Sequence, residues 1–296
     1  MTHLFFTLAF LIVFDGARAQ PRKLEIQGHR GARSVRPENT LSAFKYALEN
    51  KIEVLEMDLQ YTKDHVLVLG HDEKLNPNIC LDPMGNKIKA DSISVNSLTL
   101  AELQKYDCGS LINPRFPKQI PSPKEKMPTF AEVLALVNNY EKSQGMKYKL
   151  NVEIKVPNEY VKANTPRMVK ELIEAVKKHK IYDRTVLQSF DIEVLDVARA
   201  KDPKLQTSFL IEEKMDVILA KLNLKTTSDL IRKYKFNILS PNFKLMTKVQ
   251  VKDLQSQGIQ VIPWTANDPQ DWKSLLDMEV DGIITDDPVA LKSFLN

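Results

Sequence analysis

Nine short apolar segments recur along the chain with helical periodicity between them, and this alternation restricts the fold more than any other feature. They are "LEIQG" from Leu24, "VLEMDLQYT" from Val54, "VLVLG" from Val66, "LNVEIKV" from Leu150, "TVLQSF" from Thr185, "LQTSFLI" from Leu205, "ILSPNF" from Ile238, "IQVIPWT" from Ile259 and "GIITD" from Gly282. Apolar residues between them keep helical spacing, as at Leu41, Phe44 and Leu48, or at Val169, Leu172, Ile173 and Val176. Strands alternating with helices build a parallel sheet covered by helices. Nine strands are one more than an eight-stranded (β/α)8 barrel holds. The segment from Val66 follows its predecessor too closely for a crossover helix, so it reads as a hairpin partner at the barrel mouth. It opens an excursion, about 62–127, that includes "NPRFPKQIPSPKEKMP" and ends where "MPTFAEVLALV" resumes the helical pattern near Pro128. So long a stretch, rich in Pro, Asn and Lys, reads as a subdomain inserted after the second strand.

Of 296 residues, 43% are hydrophobic and 27% charged, a globular composition rather than a disordered one. The net charge is +4 and the lysines are scattered, so nucleic acid is not an expected partner. "MTHLFFTLAFLIVFDGARAQ" carries an apolar run from Leu4 to Phe14, then Ala17-Arg18-Ala19, and reads as a secretory signal cleaved after Ala19. That run of eleven residues falls short of the ~20 needed to cross a hydrocarbon core. A secreted or periplasmic protein without stable membrane insertion is expected, with 20–296 as a single domain. Cys80 and Cys108 fit either one disulfide or two buried thiols, because sequence cannot show that they meet.

Side chains two apart on a strand share a face. Glu56 and Asp58 therefore project together from "VLEMDLQ", opposite Leu55, Met57 and Leu59. Asn151, Glu153 and Lys155 share a face of "LNVEIKV", and Glu25, Gln27 and His29 one of "LEIQGH". Parallel strands are normally covered on both sides, and a barrel interior is normally filled by branched apolar residues. Three strands with polar inner faces depart from both rules. Carboxylates crowded into a mouth repel unless a cation holds them, so Glu56, Asp58 and Glu153 read as a site for one hard divalent cation, Ca²⁺ or Mg²⁺. Zinc is disfavoured, because no His or Cys cluster stands at ligand spacing.

Of the five histidines, His3 lies in the signal, His179 among lysines on a helix, and His65 in a turn. His29 and His71 each follow a glycine at the end of an apolar run, where barrel active sites lie. In "GHRGARSVRPENT" an imidazole and a guanidinium stand side by side between two glycines, which suits proton transfer beside an anion.

On these residues the chain resembles the glycerophosphodiester phosphodiesterases. The motifs are "HRGARSVRPENTLSAFKYAL", "EMDLQYTKDHVLVLGHD", "VEIKV", "LQSFD", "PWTANDP" and "DGIITDDP", in order from about Ile26 to Pro288. The resemblance implies an α/β fold, a (β/α)8 TIM barrel of the phosphodiesterase type with the insertion after strand 2. It implies Glu56, Asp58 and Glu153 as metal ligands, His29 and His71 as the acid-base pair, and Arg30 and Lys155 as phosphate contacts. Phe190 and Trp264 would line the substrate pocket, and Asn39 or Thr40 would cap the first helix. The substrate would be a small glycerophosphodiester, split to glycerol 3-phosphate and an alcohol such as choline or ethanolamine. No Ser or Cys stands in a nucleophile motif, and the resemblance suggests that the glycerol 2-hydroxyl attacks its own phosphorus. A phospholipase D-like enzyme acting on membrane lipid, a metal-dependent barrel isomerase or lyase, and a non-catalytic binding module are the alternatives. The chain departs from the family in "KIE" at 51–53, where a glycine usually precedes Glu-x-Asp, and at His65, where a turn glycine is common.

Overall fold

Each of the nine apolar segments contributes a strand in the computed structural model, which describes residues 23–155 and 161–296. The signal-like segment 1–19 lies outside the described residues. The strands are β1 (Glu25–Gly28), β2 (Val54–Tyr61), β3 (Leu67–Leu69), β4 (Lys149–Ile154), β5 (Thr185–Ser189), β6 (Gln206–Ile211), β7 (Ile238–Pro241), β8 (Gln260–Val261) and β9 (Gly282–Thr285). Eight of them form a parallel ladder in the order β8-β7-β6-β5-β4-β2-β1-β9, while β3 pairs antiparallel with β2, as a hairpin partner should.

The ladder is a nearly closed TIM barrel, and its seam between β8 and β9 has a chemical cause. The Val261 N–H is taken by the Asp281 side chain at 2.8 Å, and Pro263 has no N–H to offer. Bonds therefore run mostly one way across the seam, from Asp281 N to Val261 O at 2.9 Å and from Ile284 N to Pro263 O at 2.9 Å. Ala266 N returns one bond, to Ile284 O at 3.2 Å. On the other side of β8, Ile262 N and Trp264 N still donate to Leu239 O and Pro241 O of β7, but Pro241 has no N–H to return, so the β7–β8 ladder ends after Val261 and β8 spans two residues where the sequence pattern suggested seven.

Leu55, Met57, Leu59, Leu150, Val152 and Ile154 point outward into a core shared with Phe44, Leu48, Val133, Leu134, Leu172 and Val176 from the helices. Four helices that contribute to this core begin at a threonine whose hydroxyl accepts a first-turn N–H: Thr40 from Ala43, Thr129 from Glu132, Thr226 from Asp229 and Thr247 from Gln250. Each cap contributes about 1 kcal/mol. Thr40, not Asn39, is thus the first cap. Among the described residues no helix is long and apolar enough to cross a membrane.

Between β3 and the helix Phe130–Gln144 the chain builds a small second core from Val68, Leu75, Ile88, Val95, Leu103, Met127 and the disulfide Cys80–Cys108. This segment is tied to the loop after β1. Gln119 Nε2 donates to the carbonyls of Arg33 and Arg36 at 2.6 and 3.0 Å, and Ile120 N to Val35 O at 2.9 Å. It thereby holds one wall of the mouth.

Candidate active site

The loop after β1 must turn sharply to bring His29 and Arg30 back over the strand ends. Gly31 adopts φ +89°, and a Cβ there would lie 2.8 Å from Ala43. Gly28 has no room for a side chain either, since a Cβ would meet the Gly31 carbonyl oxygen at 2.1 Å. The turn aims the Arg30 N–H at Glu56 Oε2, 2.8 Å away.

Parallel pairing of β2 and β4 sets Asp58 opposite Glu153 and Glu56 opposite Asn151. Carboxylate oxygens of Glu56, Asp58 and Glu153 consequently lie within 4.8 Å of one another, all buried. Gln188 Nε2 donates to Glu56 Oε1 at 2.8 Å, and Asn39 Nδ2 to Asp58 Oδ2 at 2.8 Å. Lys155 Nζ sits 2.6 Å from Glu153 Oε1 and 3.7 Å from Asp58 Oδ1. Arg30 pairs with Glu38 at 2.6 Å and approaches Asp58 Oδ2 at 3.3 Å. Asp58 Oδ1 and Arg30 Nε are both buried without a hydrogen-bond partner.

The three carboxyls respond differently to this crowding. Burial, then the Asp58 charge, pushes Glu56 well above the usual carboxylate range. Burial likewise raises Glu153, to about 7, although Lys155 pulls against it. Burial opposes ionisation of Asp58 too, but Arg30 and Lys155 outweigh it and hold that carboxyl well below its ordinary value. Burial thus works against all three being charged at once. An all-oxygen set with one unpartnered buried oxygen fits a hard divalent cation.

His29 stands beside the trio, with Nε2 3.9 Å from Glu56 Oε2 and Nδ1 2.6 Å from Asp286 Oδ1. Burial, with Arg33 nearby, lowers its pKa to about 3, so the ring is neutral at neutral pH. His71 is half-exposed, with its Nδ1 2.7 Å from Asp72 Oδ1. Gln60 fixes that corner by donating to the carbonyls of Gly70 and Asp72 at 2.6 and 2.7 Å. Phe190, 38% exposed, meets Trp264 edge-on at 5.3 Å, and the Lys155 ammonium lies 5.6 Å from its ring. Every residue singled out in the sequence for the site thus lies around this one mouth.

The sequence pattern did not single out Asp286, Gln188, Glu38 or Gln60, and it treated Asn39 as a helix cap. Gln188 carried a usable signal, since it alternates with Leu187 and faces inward like Glu153, its ladder partner. Asp286 directly follows β9, at the same strand end as the other site residues.

The model of the glycerophosphoryl diester phosphodiesterase family matches residues 29–290. A glycerophosphodiester phosphodiesterase of Bacillus subtilis (strain 168) is 30% identical over 282 residues, covering 92% of this chain and 87% of that protein. A solved structure from Silicibacter pomeroyi DSS-3, described as a candidate glycerophosphoryl diester phosphodiesterase, matches with a TM-score of 0.86 at 29% identity, over 94% of this chain and 95% of its own. A phosphodiesterase of Oleispira antarctica, solved with the product sn-glycerol-3-phosphate, shares the fold with a TM-score of 0.73 at 22% identity, over 92% of this chain and 96% of its own.

Proposed function

Because the chain belongs to the glycerophosphoryl diester phosphodiesterase family, we propose that it hydrolyses small glycerophosphodiesters to glycerol 3-phosphate and an alcohol, with Glu56, Asp58 and Glu153 holding one divalent cation and His29 and His71 moving the protons. The observation that carries this reading is the buried carboxylate trio, within 4.8 Å, beside His29. When bound, Ca²⁺ or Mg²⁺ would offset the crowded negative charge and stabilise charge on the phosphoryl oxygens.

Arg30 and Lys155 are the phosphate contacts in this scheme. The Arg30 guanidinium, set between Glu38 and Asp58 beside the trio, supports the first contact, and the partly exposed Lys155 ammonium supports the second. His29, neutral and with Nε2 toward the trio, suits removal of a proton from the attacking hydroxyl. His71, on the solvent side, suits protonation of the departing alcohol. The tethered glycerol 2-hydroxyl is the nucleophile; it closes a five-membered cyclic phosphate that water then opens, with the histidines exchanging roles. Phe190 and Trp264 would flank the substrate beside Lys155.

Residues 20–296 are read as one catalytic domain with 62–127 as its insertion, exported after cleavage behind Ala19. The Cys80–Cys108 bridge is consistent with an oxidising compartment. The deciding experiment offers purified protein glycerophosphocholine, glycerophosphoethanolamine and lysophosphatidylcholine separately. Glycerol 3-phosphate from the first two is expected. Turnover confined to the lysolipid, releasing choline, would replace this reading with action on membrane lipid.

A further inference from the structure

We propose that Asp286 is a positioning residue for the reaction: its carboxylate holds His29 in the tautomer that carries the proton on Nδ1 and turns the Nε2 lone pair into the mouth. Asp286 would act through His29, so this deepens, and rests on, the base role proposed for that histidine.

Three donors converge on the Asp286 carboxylate. Arg33 Nε donates to Oδ1 at 2.6 Å, Asn267 Nδ2 donates to Oδ2 at 2.8 Å, and His29 Nδ1 lies 2.6 Å from Oδ1. A carboxylate surrounded by a guanidinium and an amide N–H has only lone pairs to offer, so the third bond requires a proton on Nδ1. Nε2 is then the acceptor, and it faces the trio, 3.9 Å from Glu56 Oε2. Which imidazole nitrogen carries the proton is set by the bond that the other one makes.

The backbone around Asp286 is fixed equally firmly. Asp286 N donates to Asn267 Oδ1 at 2.9 Å, and Ser34 donates to the Asp286 carbonyl through N at 3.1 Å and Oγ at 2.9 Å. These bonds join the end of β9 to the loop that carries His29. Asp286 is 1% exposed, and burying an ionised group so fully is costly unless its partners compensate. Its carboxylate partners are His29, Arg33 and Asn267, so its contact with the chemistry runs through the imidazole.

The test is ¹⁵N NMR of histidine-labelled protein, with His29→Ala to assign the resonance, together with kcat and KM on glycerophosphocholine. In the wild type, the His29 Nε2 signal should be that of an unprotonated nitrogen and Nδ1 that of a protonated one. Asp286→Ala should mix the tautomers and lower kcat roughly 10²-fold while KM moves less than ~3-fold. Normal kcat in Asp286→Ala beside an inactive His29→Ala would overturn the positioning role and leave the acid-base reading standing. A fully active His29→Ala would overturn both. Should Asp286→Ala fail to fold, the wild-type spectrum decides alone: a proton on Nε2 of His29 overturns the proposal, and one on Nδ1 supports it.

Discussion

Replacing both Cys80 and Cys108 by alanine tests how far covalent closure holds the segment above the mouth. The bridge joins residues 28 apart in sequence, so it removes from the unfolded chain the closure entropy of a loop of about that length. At 25 °C this amounts to about 3.6 kcal/mol. Both sulfurs are also buried in the small core with Val68, Leu75, Val95 and Leu103, and losing them costs roughly 1 kcal/mol apiece in packing. A loss of about 4–6 kcal/mol is expected, a large share of the ~5–15 kcal/mol by which domains are stable. Urea unfolding of parent and double variant without reductant measures it, after thiol titration has shown no free cysteine in the parent. A difference below ~1 kcal/mol would refute the loop-closure reasoning, because it would mean that the segment is held as well without the bond.

His29→Ala and His71→Ala should each lower kcat by roughly 10²-fold or more with the fold retained, whereas His65→Ala, which loses an edge contact with Tyr61, should be nearly silent in a steady-state assay. Lys51→Gly should raise stability by up to about 1 kcal/mol in thermal melts, because Lys51 holds φ +54° with its side chain exposed; a net loss would refute the strain assigned there. A glycerophosphodiester analogue lacking the 2-hydroxyl should bind competitively yet turn over very slowly. Hydrolysis of that analogue at the natural rate would exclude the cyclic route.

The strands were legible because the barrel wall has two unlike faces. Leu55, Met57 and Leu59 read as wall, and Glu56 and Asp58 as lumen, from period two alone. The two departures from the family pattern also had a physical meaning: Lys51 and His65 occupy left-handed backbone, at φ +54° and +59°, where glycine is unstrained. What stayed hidden depends on closure of the chain. His29 and Asp286 are 257 residues apart, and periodicity says nothing of which strand ends meet. Asn39 looked like a cap because Asn-Thr precedes a helix, yet its side chain spans to Asp58 from the residue before the cap. The pairing of Cys80 with Cys108 needed the folded path of the segment, not the spacing. The truncation of β8 could have been read from Pro241 in the neighbouring segment "ILSPNF", which has no N–H to continue the ladder.

The most direct test of a metal-assisted histidine hydrolase at this mouth is turnover of glycerophosphocholine by protein stripped with EDTA and dialysed, followed by addition of Ca²⁺ or Mg²⁺, with Glu153→Gln alongside. Glycerol 3-phosphate should form only after the cation is restored, and Glu153→Gln should need more of it, by roughly 10-fold or above. Full turnover by the stripped protein would contradict the role assigned to Glu56, Asp58 and Glu153.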